Sequence, residues 1–131
     1  MHTTAAPTFR KQERIVSSKL IETLFGKGDS QSLAAYPLRV VFLQTAHREG
    51  DAPVQILISV PKKKFRHAVD RNRVKRQIRE AYRHHKNLLS GHIAEGRQML
   101  IAFIWLSDRH CPTDLVEKQV VSILQRIAKK S

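Results

Sequence analysis

The chain has a single cysteine, few acids and no long apolar run, and each shortage removes a class of protein. Cys111 cannot close an internal disulfide and has no partner cysteine for a zinc knuckle, so it reads as a bystander thiol ahead of a helix. No stretch approaches the roughly 18 to 20 apolar residues that span a bilayer. Met1 to Pro7 lacks the basic-then-apolar layout of a signal peptide, which sets a cytoplasmic expectation. Catalytic signatures are missing as well: there is no His-Glu-x-x-His, no Gly-x-Ser-x-Gly elbow and no Gly-rich phosphate cradle. Asp and Glu number 11 against 24 Lys and Arg. A two-metal nuclease needs several convergent carboxylates, whereas Asp70 and Glu80 sit beside Arg and Lys, where ion pairing is the natural role. His84 and His85 diverge by about 100° on a helix and do not form one metal site. No catalytic or metal-ligating residue is assigned.

What remains is a 131-residue chain with 41% hydrophobic residues, enough to bury a core as one domain. Residues 1–12 are polar and unpatterned and read as an arm, leaving 13–131 as a single domain. A formal net charge of +13 directs the protein to a polyanion, and with no membrane signal that means nucleic acid.

The charge is organised. From Lys62-Lys63-Lys64 through Arg71-Asn72-Arg73, Lys75-Arg76, Arg79 and Arg83, cations recur around an apolar stripe. At about 100° per residue, Val74, Ile78, Ala81, Tyr82, His85 and Leu88 or Leu89 share one arc, while Asn72, Lys75, Arg76, Arg79, Arg83 and Lys86 share the other. A solvated helix usually alternates acids with bases, because like charges at i,i+4 cost a few tenths of a kcal/mol. This helix accepts that repulsion repeatedly, as a phosphate-binding surface does.

Other elements follow from pattern. Ser17 or Ser18 caps a short helix carrying Leu20, Ile21, Leu24 and Phe25, which ends at Gly26 and Gly28. Residues 26–32 read as a loop. Leu38 to Thr45 is a strand, and Val54 to Val60 is read as its antiparallel partner. After the basic helix closes near Ser90-Gly91, Met99 to Leu106 reads as a buried strand. A last helix follows Pro112, with Asp114 and Glu117 as a capping box, Val116, Val120, Ile123, Leu124 and Ile127 on one face, and Lys129-Lys130 at its end. Helices on a mixed or antiparallel sheet make an α+β layer. Phe25, Tyr36 and Phe42 are candidates for stacking on unpaired bases. Spacing favours the core for Phe42, places Phe25 at the exposed end of a helix, and leaves Tyr36 open.

The segment from Ser59-Val60-Pro61-Lys62-Lys63 through Ala68-Val69 to Arg71-Asn72-Arg73, Lys75-Arg76 and Arg79-Glu80 resembles the signature of the bacterial ribonuclease P protein component. Glu13-Arg14-Ile15, Phe25, Gly28 and the order of elements extend the resemblance over nearly the whole chain. It implies a two-layer αβββαβα sandwich of the kind seen in a ribosomal protein domain, with a mixed four-stranded sheet and a left-handed βαβ crossover. That requires one strand beyond those read from pattern, expected around Lys64 to His67.

The resemblance also implies partners and roles. A catalytic RNA subunit would hold Mg2+ and cleave at the 5′ end of mature tRNA, while the protein assists binding, without membrane or obligate protein partner. Arg71, Asn72, Arg73, Lys75, Arg76 and Arg79 would face the catalytic RNA. Phe25, Lys62 and Lys63 would hold the 5′ leader of precursor tRNA, and Tyr36, a stacking candidate by residue type alone, is assigned to the same leader surface. Ile21 stands where many members carry a second aromatic, Pro61 where Ser is usual, and Arg66 where Gly is usual. Two alternatives stand beside this reading: a ribosomal or other structural RNA-binding protein, and a DNA-binding module, which lacks the preceding helix and turn of a helix-turn-helix.

Overall fold

The computed structural model describes residues 13–15, 18–26 and 30–130. The expected arm 1–12, Ser17 and Gly28 lie outside them. Within them the order is α1 (Ser18–Phe25), β1 (Gln31–Ala35), β2 (Leu38–Ala46), β3 (Val54–Ser59), α2 (Ala68–His85), a 3-10 turn (Lys86–Leu89), β4 (Arg97–Trp105) and α3 (Thr113–Lys130). This is the αβββαβα order implied by the resemblance.

The sheet runs β1-β2-β4-β3, with β4 antiparallel to β2 and parallel to β3. The expected pairing of β2 with β3 is therefore wrong: β4 lies between them. The reason is visible in β4, where every residue from Met99 to Phe103 is fully buried. Such a continuous apolar run is satisfied only at the centre of a sheet with both faces covered. The intervening residues 47–53 then carry the chain past β4 rather than closing a tight hairpin.

The extra strand is also displaced from its expected place. It is β1, which begins in the last two residues of the stretch read as loop and runs on through residues given no element, and it pairs with β2 across Tyr36 and Pro37, joined by a cis peptide bond. Only Leu33 of β1 is buried, so the period-2 signal is one residue deep. Lys64 to His67 form no strand. The backbone there turns, with Lys64 N–H donating to the Pro61 carbonyl at 3.0 Å. The Arg71 guanidinium takes up the carbonyls of Phe65 and Arg66, at 2.8 and 3.0 Å, so a side chain serves groups that a ladder would otherwise need.

Alternation along the strands divides the core in two. Leu38, Val40, Phe42, Met99, Ile101, Phe103 and Trp105 face the layer made by α2 and α3. Val41, Leu43, Leu100 and Ala102 face the other way, against Leu20 and Leu24 of α1 and Ile15. Phe42 is a core residue, as its spacing indicated. Ile21 is half-buried against this second cluster, so the position where the resemblance led to the expectation of an aromatic serves packing here.

The expected capping box on α3 does not form. The helix starts at Thr113, and Asp114 Oδ1 accepts from Leu115 N–H at 3.1 Å. Glu117 instead meets His85 Nε2 at 2.8 Å. Gln77, absent from the expected core arc, is buried and donates to the Cys111 carbonyl at 3.0 Å and to Thr113 Oγ1 at 3.1 Å. It ties α2 to the start of α3.

Candidate nucleic-acid interface

Helix α2 is anchored by Val74, Gln77, Ile78, Ala81 and Tyr82, and that anchorage fixes what its other side presents. Asn72, Arg73 and Arg76 are exposed, while Lys75 and Arg79 are half-buried along their stems. None of these five makes a hydrogen bond or ion pair with a described residue. Arg71 differs: both N–H donors of its Nη1 are committed to the Phe65 and Arg66 carbonyls. A guanidinium has five donors, so three remain for an external acceptor.

The acids explain why this face stays unpaired. Glu80 receives Arg83 through two bonds, at 3.2 and 2.9 Å. That hydrogen bond is the largest influence holding the Glu80 carboxyl below the ordinary range, and it raises Arg83 in turn. Glu13 receives Lys86 Nζ at 2.8 Å, Asp70 receives His110 Nε2 at 3.0 Å, and Asp51 lies 3.6 Å from Arg48. Arg83 and Lys86, expected on the free cation arc, are thus paired within the chain. The free face contracts to the N-terminal two-thirds of α2.

Ahead of α2, the turn at Pro61–Lys64 exposes Lys62 and Lys63. This turn leaves β3 at Ser59, which lies in a row across the sheet: Ser59 is beside Ile104, Ile104 beside Arg39, and Arg39 beside Ala34. Arg39 shares the α1-facing parity of Val41 and Leu43. At its end of the row, Arg39, Val41, Ser30, Ser32, Leu24 and Phe25 border a groove of about 240 Å3. Phe25 is 47% exposed there, a ring face open to stacking.

The structure therefore brings together Phe25 and a cation that the sequence reading missed, Arg39. The available signal was strand alternation: a long cation between Leu38 and Val40, both buried towards the opposite face. Lys62 and Lys63 lie beyond the far end of the same row. Tyr36 does not border the groove. It stands 65% exposed at the β1–β2 turn, its carbonyl accepting from Gln119 Nε2 at 2.7 Å.

Two cationic surfaces thus lie on different sides of the sheet, one on the outer side of α2 and one beside α1. The connection 60–67 leads from the β3 end of the row into α2. This arrangement suits two nucleic-acid segments of different kinds: a structured backbone against α2, and a single strand held by charge and stacking in the groove.

Comparison with known proteins identifies the setting. A family model described as Ribonuclease P matches residues 9–128. The ribonuclease P protein component of Porphyromonas gingivalis is 45% identical over 130 residues, covering 95% of this chain and 91% of that protein. The solved RNase P protein from Thermotoga maritima shares the fold with a TM-score of 0.60 at 23% identity, over 89% of this chain and 97% of that one. A Staphylococcus aureus RNase P protein mutant with defective mRNA degradation activity gives 0.56 at 25% identity, over 92% and 88%. The chain belongs to the ribonuclease P protein component family, the protein part of a ribonucleoprotein endoribonuclease that partners an RNA subunit.

Proposed function

We propose that the α2 face binds the catalytic RNA of ribonuclease P and that the groove beside α1 holds the 5′ leader of precursor tRNA, while the RNA subunit hydrolyses the phosphodiester. The observation that carries this reading is the allocation of charge. Arg73, Lys75, Arg76 and Arg79 remain unpaired with described residues, although neighbouring Arg83 and Lys86 are each matched to an acid. Forked guanidinium donors suit phosphate oxygens, and Asn72 adds a neutral donor and acceptor between Arg71 and Arg73.

On the other surface, Phe25 offers a stacking face and Arg39, Lys62 and Lys63 offer charge. Neither interaction reads base identity strongly, which suits a leader of variable sequence. Tyr36 stands exposed at the β1–β2 turn, outside the groove, and takes no part in this assignment.

Magnesium in this reading belongs mainly to the RNA subunit, where it would stabilise the charge developing on the displaced oxygen. Among the described residues no group of three or more His, Cys, Asp or Glu comes together to hold a metal ion. The chain's part is to neutralise phosphate and position the leader. Its proposed setting is cytoplasmic.

The test is reconstitution. The protein alone leaves precursor tRNA intact, and it restores cleavage by its matching RNA subunit at low magnesium. Cleavage by protein rigorously freed of RNA refutes the assignment of chemistry to the RNA. Recovery of ribosomal RNA with tagged protein, and of no RNA able to process tRNA, would favour a structural RNA-binding role instead.

A further inference from the structure

One side chain outside both cationic surfaces touches the connection from β3 to α2 that carries Lys62 and Lys63. His110 lies in the segment that joins β4 to α3. Its ring stacks on Phe65, with centroids 4.6 Å apart and planes inclined by 19°. Its Nε2 donates to Asp70 Oδ1 in the first turn of α2, at 3.0 Å. Its Nδ1 is buried and has no partner among the described residues, so the Asp70 bond and the stack orient the ring.

The platform under His110 is fixed. The next residue, Cys111, is held through its carbonyl by Gln77 of α2 at 3.0 Å, and Gln77 also reaches Thr113 at 3.1 Å. What His110 holds is less constrained. Phe65 is half-buried and directly follows the Pro61–Lys64 turn that carries Lys62 and Lys63. Beyond Phe65, Arg71 secures the carbonyls of residues 65 and 66 to the same first turn of α2. Removing the ring would leave Phe65 without its stacking partner and Asp70 without its hydrogen bond, so the lysine turn would be held only by Arg71 and by the packing of Phe65 against the main core.

We infer that His110 is a positioning residue that sets where Lys62 and Lys63 stand relative to the α2 face. Through it, a leader leaving the groove meets the lysines at a fixed offset from the RNA-subunit contact. This role rests on the leader reading above. It concerns a residue that touches neither RNA in that reading.

The experiment uses the reconstituted holoenzyme and two ligands, precursor tRNA with a 5′ leader and the same tRNA without one. The ratio of their affinities isolates the leader's contribution. His110→Ala is expected to reduce that ratio on the order of tenfold, a difference of about 1.4 kcal/mol, while affinity for leaderless tRNA and for the RNA subunit alone stays within about twofold. His110→Phe keeps a stacking ring without the Asp70 bond and should restore part of the ratio. Asp70→Ala should lower it without adding fully to His110→Ala, because both act through one link.

Melting curves of each free variant separate misfolding from misplacement, and His110→Phe supplies the folded comparison if the alanine variant unfolds. An equal loss of affinity for both ligands, or no partial recovery in His110→Phe, overturns the role. If the unaltered protein shows no leader-dependent gain, the leader reading fails and takes this role with it. If that gain is present and His110→Ala leaves it unchanged, only the role of His110 fails.

Discussion

Replacing both Arg76 and Arg79 with Ala tests the α2 face most directly, because neither is paired with a described residue and neither supports the core. Each cation bound to a duplex phosphate contributes about 0.9 to the slope of log K against log salt, and about 0.7 for a single strand. Two lost contacts should therefore lower the slope by about 1.4 to 1.8. Taking the wild-type and variant lines to converge near 1 M salt, the loss at about 0.15 M is roughly 15- to 30-fold in affinity for the RNA subunit. Filter binding or fluorescence titration at four or more salt concentrations measures both quantities. The stability of the free protein should change by no more than about 0.5 kcal/mol for exposed Arg76, and by about 1 kcal/mol or less for Arg79, whose stem is half-buried. An unchanged slope, or a loss of equal size at low and high salt, refutes the placement of these residues against phosphate.

Lys86→Ala should behave oppositely: with Lys86 at 2.8 Å from a buried Glu13 carboxylate, its loss should cost about 1 to 3 kcal/mol in urea denaturation and leave the salt slope unchanged. Arg39→Ala should weaken binding of leader-bearing precursor tRNA several-fold and leave leaderless tRNA unaffected, and equal effects on both ligands would remove Arg39 from the leader groove. Burial, with a smaller contribution from Glu13, raises the Tyr82 hydroxyl well above the ordinary tyrosine value, so the folded protein keeps its proton where the unfolded chain loses it. Stability should consequently fall as pH rises past about 10, by about 1.4 kcal/mol at about pH 11 from this group. The fall should be shallower in Tyr82→Phe, and parallel profiles for the two proteins would refute the assignment.

The helices were legible because their signals are long. Val74, Ile78, Ala81 and Tyr82 repeat over several turns, as do Val116, Val120, Ile123, Leu124 and Ile127, and all are buried. Strand partnership was not legible, because the apolar content of β2 and β3 is equally well served by direct pairing or by separation across β4. Only the complete burial of β4 distinguishes the two. Strand β1 escaped for a simpler reason: one buried leucine in five residues gives too short a pattern, and its place is set by pairing with β2 and by contacts from α3 such as Arg126 to the Ala34 carbonyl at 2.9 Å. In the interface, sequence located the cations and could not show which were already paired. Arg83 is matched by an acid three residues away, within reach of a local rule. Lys86 is matched by Glu13 from 73 positions earlier, which no local rule reveals.

That distant pairing clarifies how a chain of net charge +13 keeps one face uncompensated. Self-repulsion destabilises a compact cationic protein, and scattering the acids evenly would relieve it best. Instead Glu13, Glu117 and Asp70 reach across elements to Lys86, His85 and His110, where they join the 3-10 turn to the N-terminal segment, α2 to α3, and α2 to the β4–α3 segment. In each case the acid is engaged in a tertiary contact; of the three only Asp70 lies in the N-terminal part of α2, and its carboxylate is turned to His110. Glu80, the other acid of α2, directs its charge chiefly onto Arg83, towards the C-terminal end of the helix. The acids thus strengthen contacts between elements, and Arg73, Lys75, Arg76 and Arg79 are left for phosphates that the chain does not itself provide.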